Sequence, residues 1–331
     1  MYSILRHSRQ FFVCFFHYHT LLADAKINHF SGIFAAMELS KDICGFLEEK
    51  GIRCCVKRIG AFDVITACLR NGNIRAVLPV EIKAKDISEA EAQQKSLQDA
   101  VRILTERHGA YPLIITEDRW VVQNDMMKKR LLSHLEIFFP IYARNCEVRR
   151  IEKAEAAAFL GANHSYGDAA CRYRYGLFLK RHTGHIAEDG EASRYCPGTL
   201  IAVATFSNAR KWIKGDKVIR SYEWTRYASL PELRVNGGMS KLLKAFIKDV
   251  QPDDIMSYAD LEWSEGKVYE QLGFISEGCK TPVTFKIGPD MQRQPTSLPD
   301  RDSISLPAPT GNLFYINLGS RKYRLKLTEY E

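Results

Sequence analysis

Three stretches of the sequence hold side chains able to do chemistry. In FDVITACLRNGNIRAVLPVEIKAK, Asp63 precedes a hairpin turn and Glu81-x-Lys83 follows it. Spacing of two puts Glu81 and Lys83 on one face of a strand. Paired with Asp63 on the adjacent strand, they form an acid pair suited to a hard cation such as Mg2+. Asp63 and Glu81 are therefore the metal-ligand candidates, with Lys83 beside Glu81. A solvated charged face gives the same pattern.

The second stretch, RVNGGMSKLLKAF, sets Gly237 and Gly238 directly before an amphipathic helix. Glycines at a helix start let backbone amides point at an anion, and the helix dipole adds to the attraction. Neither GxxxxGK[ST] nor GxGxxG is present, so this is no P-loop and no dinucleotide fingerprint. The plainer reading is a turn. The third group lies around that loop. Asp260 ends the apolar strand IMSYAD, at the C-terminal edge where α/β sites form; it is a candidate base, or a cap for the helix after LEWS. His164 stands at a loop edge after a helix and is a second candidate base. Glu223 and Arg226 share a strand at odd spacing and face opposite sides, Arg226 being assigned to the site. Ser240 opens the helix, to bond a phosphate or to cap. Tyr269, in VYEQLGF, is the candidate general acid.

The elements that must position these residues fall into two runs. MELSKDICGFLEEKG reads as a helix capped by Ser40, with Glu48 or Glu49 as a further ligand for the first group. RCCVKRI, AFDVITACLR and RAVLPVEIKAK read as strands, with a turn at Asn71–Asn73. A helix over Ser88–His108 carries Leu97, Val101 and Leu104 on one stripe, with Gln93 and Gln94 in its first half. The strand YPLIITED and a helix over Asp125–Phe138 complete this half. From Ala143 the order is strand CEVRRI, helix EKAEAAAFLGANH, and strands RYRYGLFLKR and TLIAVATFSNAR with a polar loop, Thr183–Pro197, between them. RSYEWTRYAS, the glycine loop and its helix, DDIMSYADL, EGKVYEQLGF and TPVTFKIG come next. Residues 289–311 read as a polar linker, and LFYINLGSRKYRLKL as a closing hairpin. The fold class is α/β in two domains, 37–142 and 143–331.

Arg234-x-x-Gly237-x-Met239 resembles the Gln/Arg-x-x-Gly-x-Gly/Ala loop of the GNAT acyltransferases, with Met239 in place of a small residue. VYEQLGF resembles their Y-x-x-L-G-F helix. The resemblance implies an acyl-CoA donor, acetyl-CoA in the first place, held by Arg234, Gly237, Gly238, Met239, Ser240 and Lys241. It implies that Tyr269 protonates the departing thiolate. FLGANHSYG, YEWTRYAS, SYADLEWSEGKVYEQLGF and FYINLGSRKYRL are similar to a phage and mobile-element group of GNAT-like proteins that includes the Mom DNA-modification proteins. The first half resembles PD-(D/E)XK nucleases, which implies that Lys83 orients or activates a water attacking a scissile phosphate and that Gln93 or Gln94 is the accessory glutamine of some members. Together these imply a DNA-processing protein that transfers a group to a base or another amine. The alternatives are a Mg2+-dependent endonuclease and a non-catalytic DNA-binding protein.

The composition bounds these readings. A net charge of +8 favours acidic partners such as DNA. Nine cysteines without a CxxC pair imply neither a zinc site nor secreted disulfides, hence a reducing cytoplasm. FFVCFFHYH is too short to span a membrane, so residues 1–36 read as an unstructured extension before a start at Met37.

Overall fold

The computed structural model describes residues 38–69, 71–181, 195–296 and 311–330. The extension 1–36, Met37, most of the Thr183–Pro197 loop and residues 297–310 lie outside them.

The first half builds α1 (Leu39–Glu49), β1 (Cys54–Ile59), β2 (Phe62–Cys68), β3 (Ile74–Val80), α2 (Ile87–His108), β4 (Leu113–Thr116), α3 (Glu117–Val122) and α4 (Asn124–His134). The strands form one sheet in the order β1-β2-β3-β4, antiparallel through β3 and parallel between β3 and β4. Alternation assigns its two faces. Ile65, Ala67 and Val77 pack on α1 and α4, while Val64, Ala76 and Leu78 pack on Leu97, Val101 and Leu104 of α2. The α2 start is fixed by Asp86, whose side chain accepts from the Glu89 amide, and Gly109 ends it in the left-handed region.

The second half continues with β5 (Phe139–Tyr142), β6 (Cys146–Arg150), α5 (Lys153–Asn163), β7 (Tyr173–Leu179), β8 (Leu200–Phe206), β9 (Arg210–Lys214), β10 (Lys217–Ser229), β11 (Leu233–Asn236), α6 (Gly238–Val250), β12 (Asp254–Asp260) and α7 (Lys267–Gln271). It ends with β13 (Ile275–Lys280), β14 (Thr284–Ile287), β15 (Arg293–Pro295), β16 (Leu313–Ile316) and β17 (Ser320–Lys326). An eight-stranded sheet runs β13-β17-β12-β10-β8-β7-β6, with β9 on β10. Helix α6 covers one face, Phe246 stacking on Phe206 at 3.9 Å between ring centroids. Helix α5 covers the other, Ala156 and Leu160 meeting Val203 and Ala228.

Several expectations change. Ser40 is not the cap of α1; Glu38 holds that position, and buried Ser40 bonds Asp63 instead. The helix expected over Asp125–Phe138 ends at His134, because β5 pairs with β11 and takes Phe139 into a two-stranded sheet. The expected closing hairpin does not form: β16 joins β14, while β17 inserts between β12 and β13. Gly319, at φ +76°, turns the chain there with no room for a Cβ, which would lie 2.6 Å from the Lys280 carbonyl oxygen. The stretch 289–311 is not purely a surface linker, since β15 lies in it and half-buries Arg293. The apolar core also disregards the boundary at 142/143. Phe285, Ile287 and Tyr315 pack with Leu78, Val80 and Leu97 in one cluster.

Candidate functional site

The long strand β10 belongs to two half-sheets. Its first part pairs in parallel with β12, Ser221 to Glu223 against Asp254 to Met256. From Trp224 onward it pairs with β8 instead, with a register shift between Trp224 and Arg226. Beyond Met256, therefore, β10 and β12 are no longer paired and the sheet forks. Buried Ser257 sits at the fork. Its Oγ is 3.0 Å from the Trp224 carbonyl oxygen and 2.9 Å from the Tyr269 hydroxyl. A serine has one proton to donate; given to the carbonyl, it leaves the phenol proton free to be the donor. Tyr269 is held edge-on against Trp224 and stacked on Tyr323. Burial raises its pKa, with the Ser257 contact working the other way, so the phenol is protonated at neutral pH.

On the same face, Gly237 is the N-cap of α6 at φ +77°, with no side chain capping the helix. Gly238 begins the helix, and a Cβ there would meet Val235 Cγ1 at 2.8 Å. Only glycine fits this close approach, and the first-turn amides have no side-chain acceptor. The arrangement suits the pyrophosphate of an acyl-CoA. Met239 packs against the core of the large sheet. Ser240 makes no side-chain hydrogen bond among the described residues. Lys241 departs from the expectation: its ammonium donates to the carbonyls of Ala143 (2.8 Å) and Cys146 (2.6 Å), tying α6 to β6. Exposed Arg234 lies over the Phe138 ring at 5.6 Å. Tyr227, unnoticed in the sequence, brings its hydroxyl beside Gly238, and burial lifts its pKa to about 12.

Asp260 stands an odd number of positions from Ser257, so it leaves β12 on the opposite, α5 face. It does not cap the helix after LEWS, whose N-cap is Gly266 with no side-chain bond. Oδ1 accepts the Glu262 amide (2.9 Å), and Oδ2 accepts the Tyr166 hydroxyl (2.9 Å). Arg119 donates to Tyr166 at 2.8 Å and pairs with Glu262 at 3.1 Å. Arg293 reaches Glu262 and Asp118, and Tyr315 also donates to Glu262. Arg119 is 7% exposed, and Asp118 and Glu262 are 1% exposed; such charges survive burial only by being paired. Burial first, and Glu262 second, hold the Asp260 carboxyl above the usual aspartate range. Of these partners only Asp260 stands out in the sequence. The others lie within the motifs ITEDRW and NHSYG and along the second half, but nothing local marks them as its neighbours.

His164 and Arg226 line the same face without acting as expected. His164 Nδ1 accepts the Tyr166 amide at 3.2 Å, and burial lowers its pKa to about 4. At neutral pH it is a weak base. Arg226 donates to the carbonyls of Gly167 (3.2 Å) and Thr225 (2.8 Å), clasping the turn after α5 to β10.

In the first half, Asp63, Glu81, Lys83 and Gln93 line one cavity of about 500 Å3, together with Glu38 and Arg58. Lys83 pairs with Glu81, Arg58 lies 3.7 Å from Asp63, and Gln93 donates to the Glu81 carbonyl at 2.8 Å. The helix acid is Glu38, not Glu48 or Glu49, which are exposed at the far end of α1. Gln94 bonds the Asn317 carbonyl instead. Among the described residues no three His, Cys, Asp or Glu side chains come together to hold a metal. The Mg2+ expectation thus finds its two carboxylates in one cavity but no converged ligand set, and no step through a metal is derived.

No protein-family model matches the sequence, and no curated protein does. Among solved structures the chain is similar to a GNAT-family acetyltransferase from Bacillus anthracis, at 13% identity over 55% of this chain and 95% of that one, TM-score 0.27. It is similar to the AtaT mutant toxin bound to the C-terminus of antitoxin AtaR and acetyl-CoA, at 13% identity over 52% and 93%, TM-score 0.25. A third is the histone acetyltransferase HPA2 and related acetyltransferase from Corynebacterium glutamicum, at 14% identity over 72% and 94%, TM-score 0.27. These scores are too low to carry the fold, which rests on the strand order itself. No helix among the described residues is long and apolar enough to cross a membrane.

Proposed function

We propose that the second half is a GNAT-like N-acyltransferase acting on an amine, with a DNA base as the Mom-like acceptor. The observation that carries this is the fork of β10 and β12, with an uncapped glycine helix start and Tyr269 on one face and Asp260 on the other. Bound acyl-CoA would supply the activated thioester. The amides of the Gly237–Ser240 turn would hold its pyrophosphate. Asp260 takes a proton from the attacking amine through Oδ2; its raised pKa makes it a better acceptor than an ordinary aspartate. It is preferred over His164, whose pKa burial lowers to about 4. Tyr269 gives its phenol proton to the departing thiolate. Arg119 and Tyr166 position Asp260 and touch neither reactant.

Mass spectrometry of nucleosides from cells expressing the Glu81→Ala protein is the test. A new base mass that vanishes with Tyr269→Phe and with Asp260→Ala supports the reading. Full activity in both variants would remove the mechanism, and an unchanged nucleoside profile would remove the base as acceptor.

A second reading is favoured by the cavity that gathers Asp63, Glu81, Lys83 and Gln93: a nuclease-like module that binds or cuts DNA. Plasmid nicking assayed with and without Mg2+ checks it. Nicking that persists in Glu81→Ala would defeat a role for this cavity.

A further inference from the structure

β9 and the start of β10 form a two-stranded ribbon at the edge of the large sheet, on the part of β10 that precedes the fork. Lys214 pairs with Lys217, leaving Gly215 and Asp216 as a two-residue turn, with Gly215 at φ +57°. Five residue pairs extend about 17 Å at the usual rise per residue. Every residue of β9 is exposed.

The composition of the ribbon is unusual for an edge. Arg210, Lys211, Lys214 and Lys217 are cationic; Lys217 donates to the Glu329 carbonyl at 3.1 Å, and the other three have no carboxylate partner among the described residues. Asp216, at the tip, is the one acid between 210 and 221. Lys214 and Lys217 sit directly opposite one another, a repulsive cross-strand pair. Lysines on an edge strand prevent sheet-to-sheet pairing, but that role does not explain the apolar residues beside them. Trp212 is 50% exposed, Ile213 83% and Val218 58%. Alternation places Trp212 between Arg210 and Lys214 on one face, and Ile213 next to Lys211 on the other. Cations with an aromatic and aliphatic residues between them match a surface that is anionic at its rim and apolar within.

We infer that the β9–β10 ribbon docks on double-stranded DNA, its cations on phosphates and the Trp212 face against sugars and base edges. A two-stranded ribbon is of the size the major groove of B-DNA admits, and the net charge of +8 favours the encounter. The contact is separate from the transfer chemistry and stands or falls apart from it.

The test measures anisotropy of a labelled duplex of about 30 base pairs against the full chain, with a chelator present, across a salt series. Phosphate contacts by Arg210, Lys211 and Lys214 give a slope of log K on log salt of about −2.7. Lys211→Ala with Lys214→Ala should make the slope shallower by about 2 and weaken binding at least tenfold at roughly 50 mM salt. Trp212→Ala should weaken binding while leaving the slope unchanged. The control is Lys95→Ala with Lys153→Ala, the same charge change at exposed sites outside the ribbon; its binding should match the unmutated chain. All these sites are exposed, and an unchanged thermal midpoint for each variant shows that it folds. Equal losses in the ribbon and control variants would overturn the inference. So would no binding to duplex, or ribbon-dependent binding to anionic vesicles or single strands in place of duplex.

Discussion

The cavity of the first half and the fork of the second are polar sites built in opposite ways. Asp63, Glu81, Lys83 and Gln93 come from β2, the connection after β3, and α2, one continuous run of the chain, and their surroundings are open enough for Lys83 to remain largely exposed. At the fork, Asp260 depends on Tyr166 and Arg119, and through Glu262 on Arg293 and Tyr315. Those residues come from five segments of the chain, and Arg119, Glu262 and Tyr315 are buried while Tyr166 is 45% exposed. The difference teaches a rule of cost. Charges left in water need no exact partner, so local spacing suffices to assemble them. Charges taken out of water must be matched by groups that the fold brings from elsewhere.

The largest effect that could break this contrast is on stability. Arg119→Ala leaves Glu262 and Asp260 short of a cation and should cost about 3–5 kcal/mol in urea unfolding. Removing Lys83 should cost under about 1 kcal/mol, as for other exposed pairs. Equal costs would erase the distinction. Tyr269→Phe should lower the transfer rate about a hundredfold and leave unfolding within about 1 kcal/mol of the parent.

Acid comes next and reads both halves at once. Burial lowers His134, on α4, and His164 to about 4, against 6.5 for free histidine. Their stabilising neutrality is complete above pH 6.5 and is lost as pH falls toward 4, by about 2 kcal/mol in total once partial exposure is allowed for. Asp260, raised by burial, binds its proton more readily when folded and offsets part of that loss. Denaturant titrations at pH 7 and 4.5 should show the drop. His134→Asn should remove the share of the first half, and His164→Asn that of the second. Gly238→Ala should weaken CoA binding roughly tenfold by calorimetry, through the clash with Val235. The smallest effect sharpens the geometry of the first cavity. Glu48→Ala should change neither DNA binding nor cutting, whereas Glu38→Ala should alter whichever of the two that cavity performs.

The α/β order of the first half was legible because its signals are local: alternation in β2 and β3, the Asn71–Asn73 turn and the Leu97, Val101, Leu104 stripe. So was the glycine start of α6, since positive φ and a close approach both require glycine. The edge ribbon was missed, because RKWIKGDK has the composition of a loop and becomes a strand only by pairing with β10. The closing hairpin was misread for the complementary reason. Each of its strands has ordinary alternation, and nothing in LFYINLGSRKYRLKL says that the two belong to different sheets.

What the amino-acid order determined by itself is the face a strand residue takes: Asp260 stands opposite Ser257 on β12, whereas Glu81 and Lys83, expected on one strand face, lie beyond the end of β3 at Val80. Such relations come from the fixed geometry of one strand. Only the tertiary structure decided that Lys241 is committed to two carbonyls, that Glu38 rather than Glu48 meets Asp63, and that Arg119 reaches Asp260 through Tyr166. Hydrogen bonds act over about 3 Å, and the groups they join here lie tens of residues apart, so their meeting depends on the packing of the whole chain.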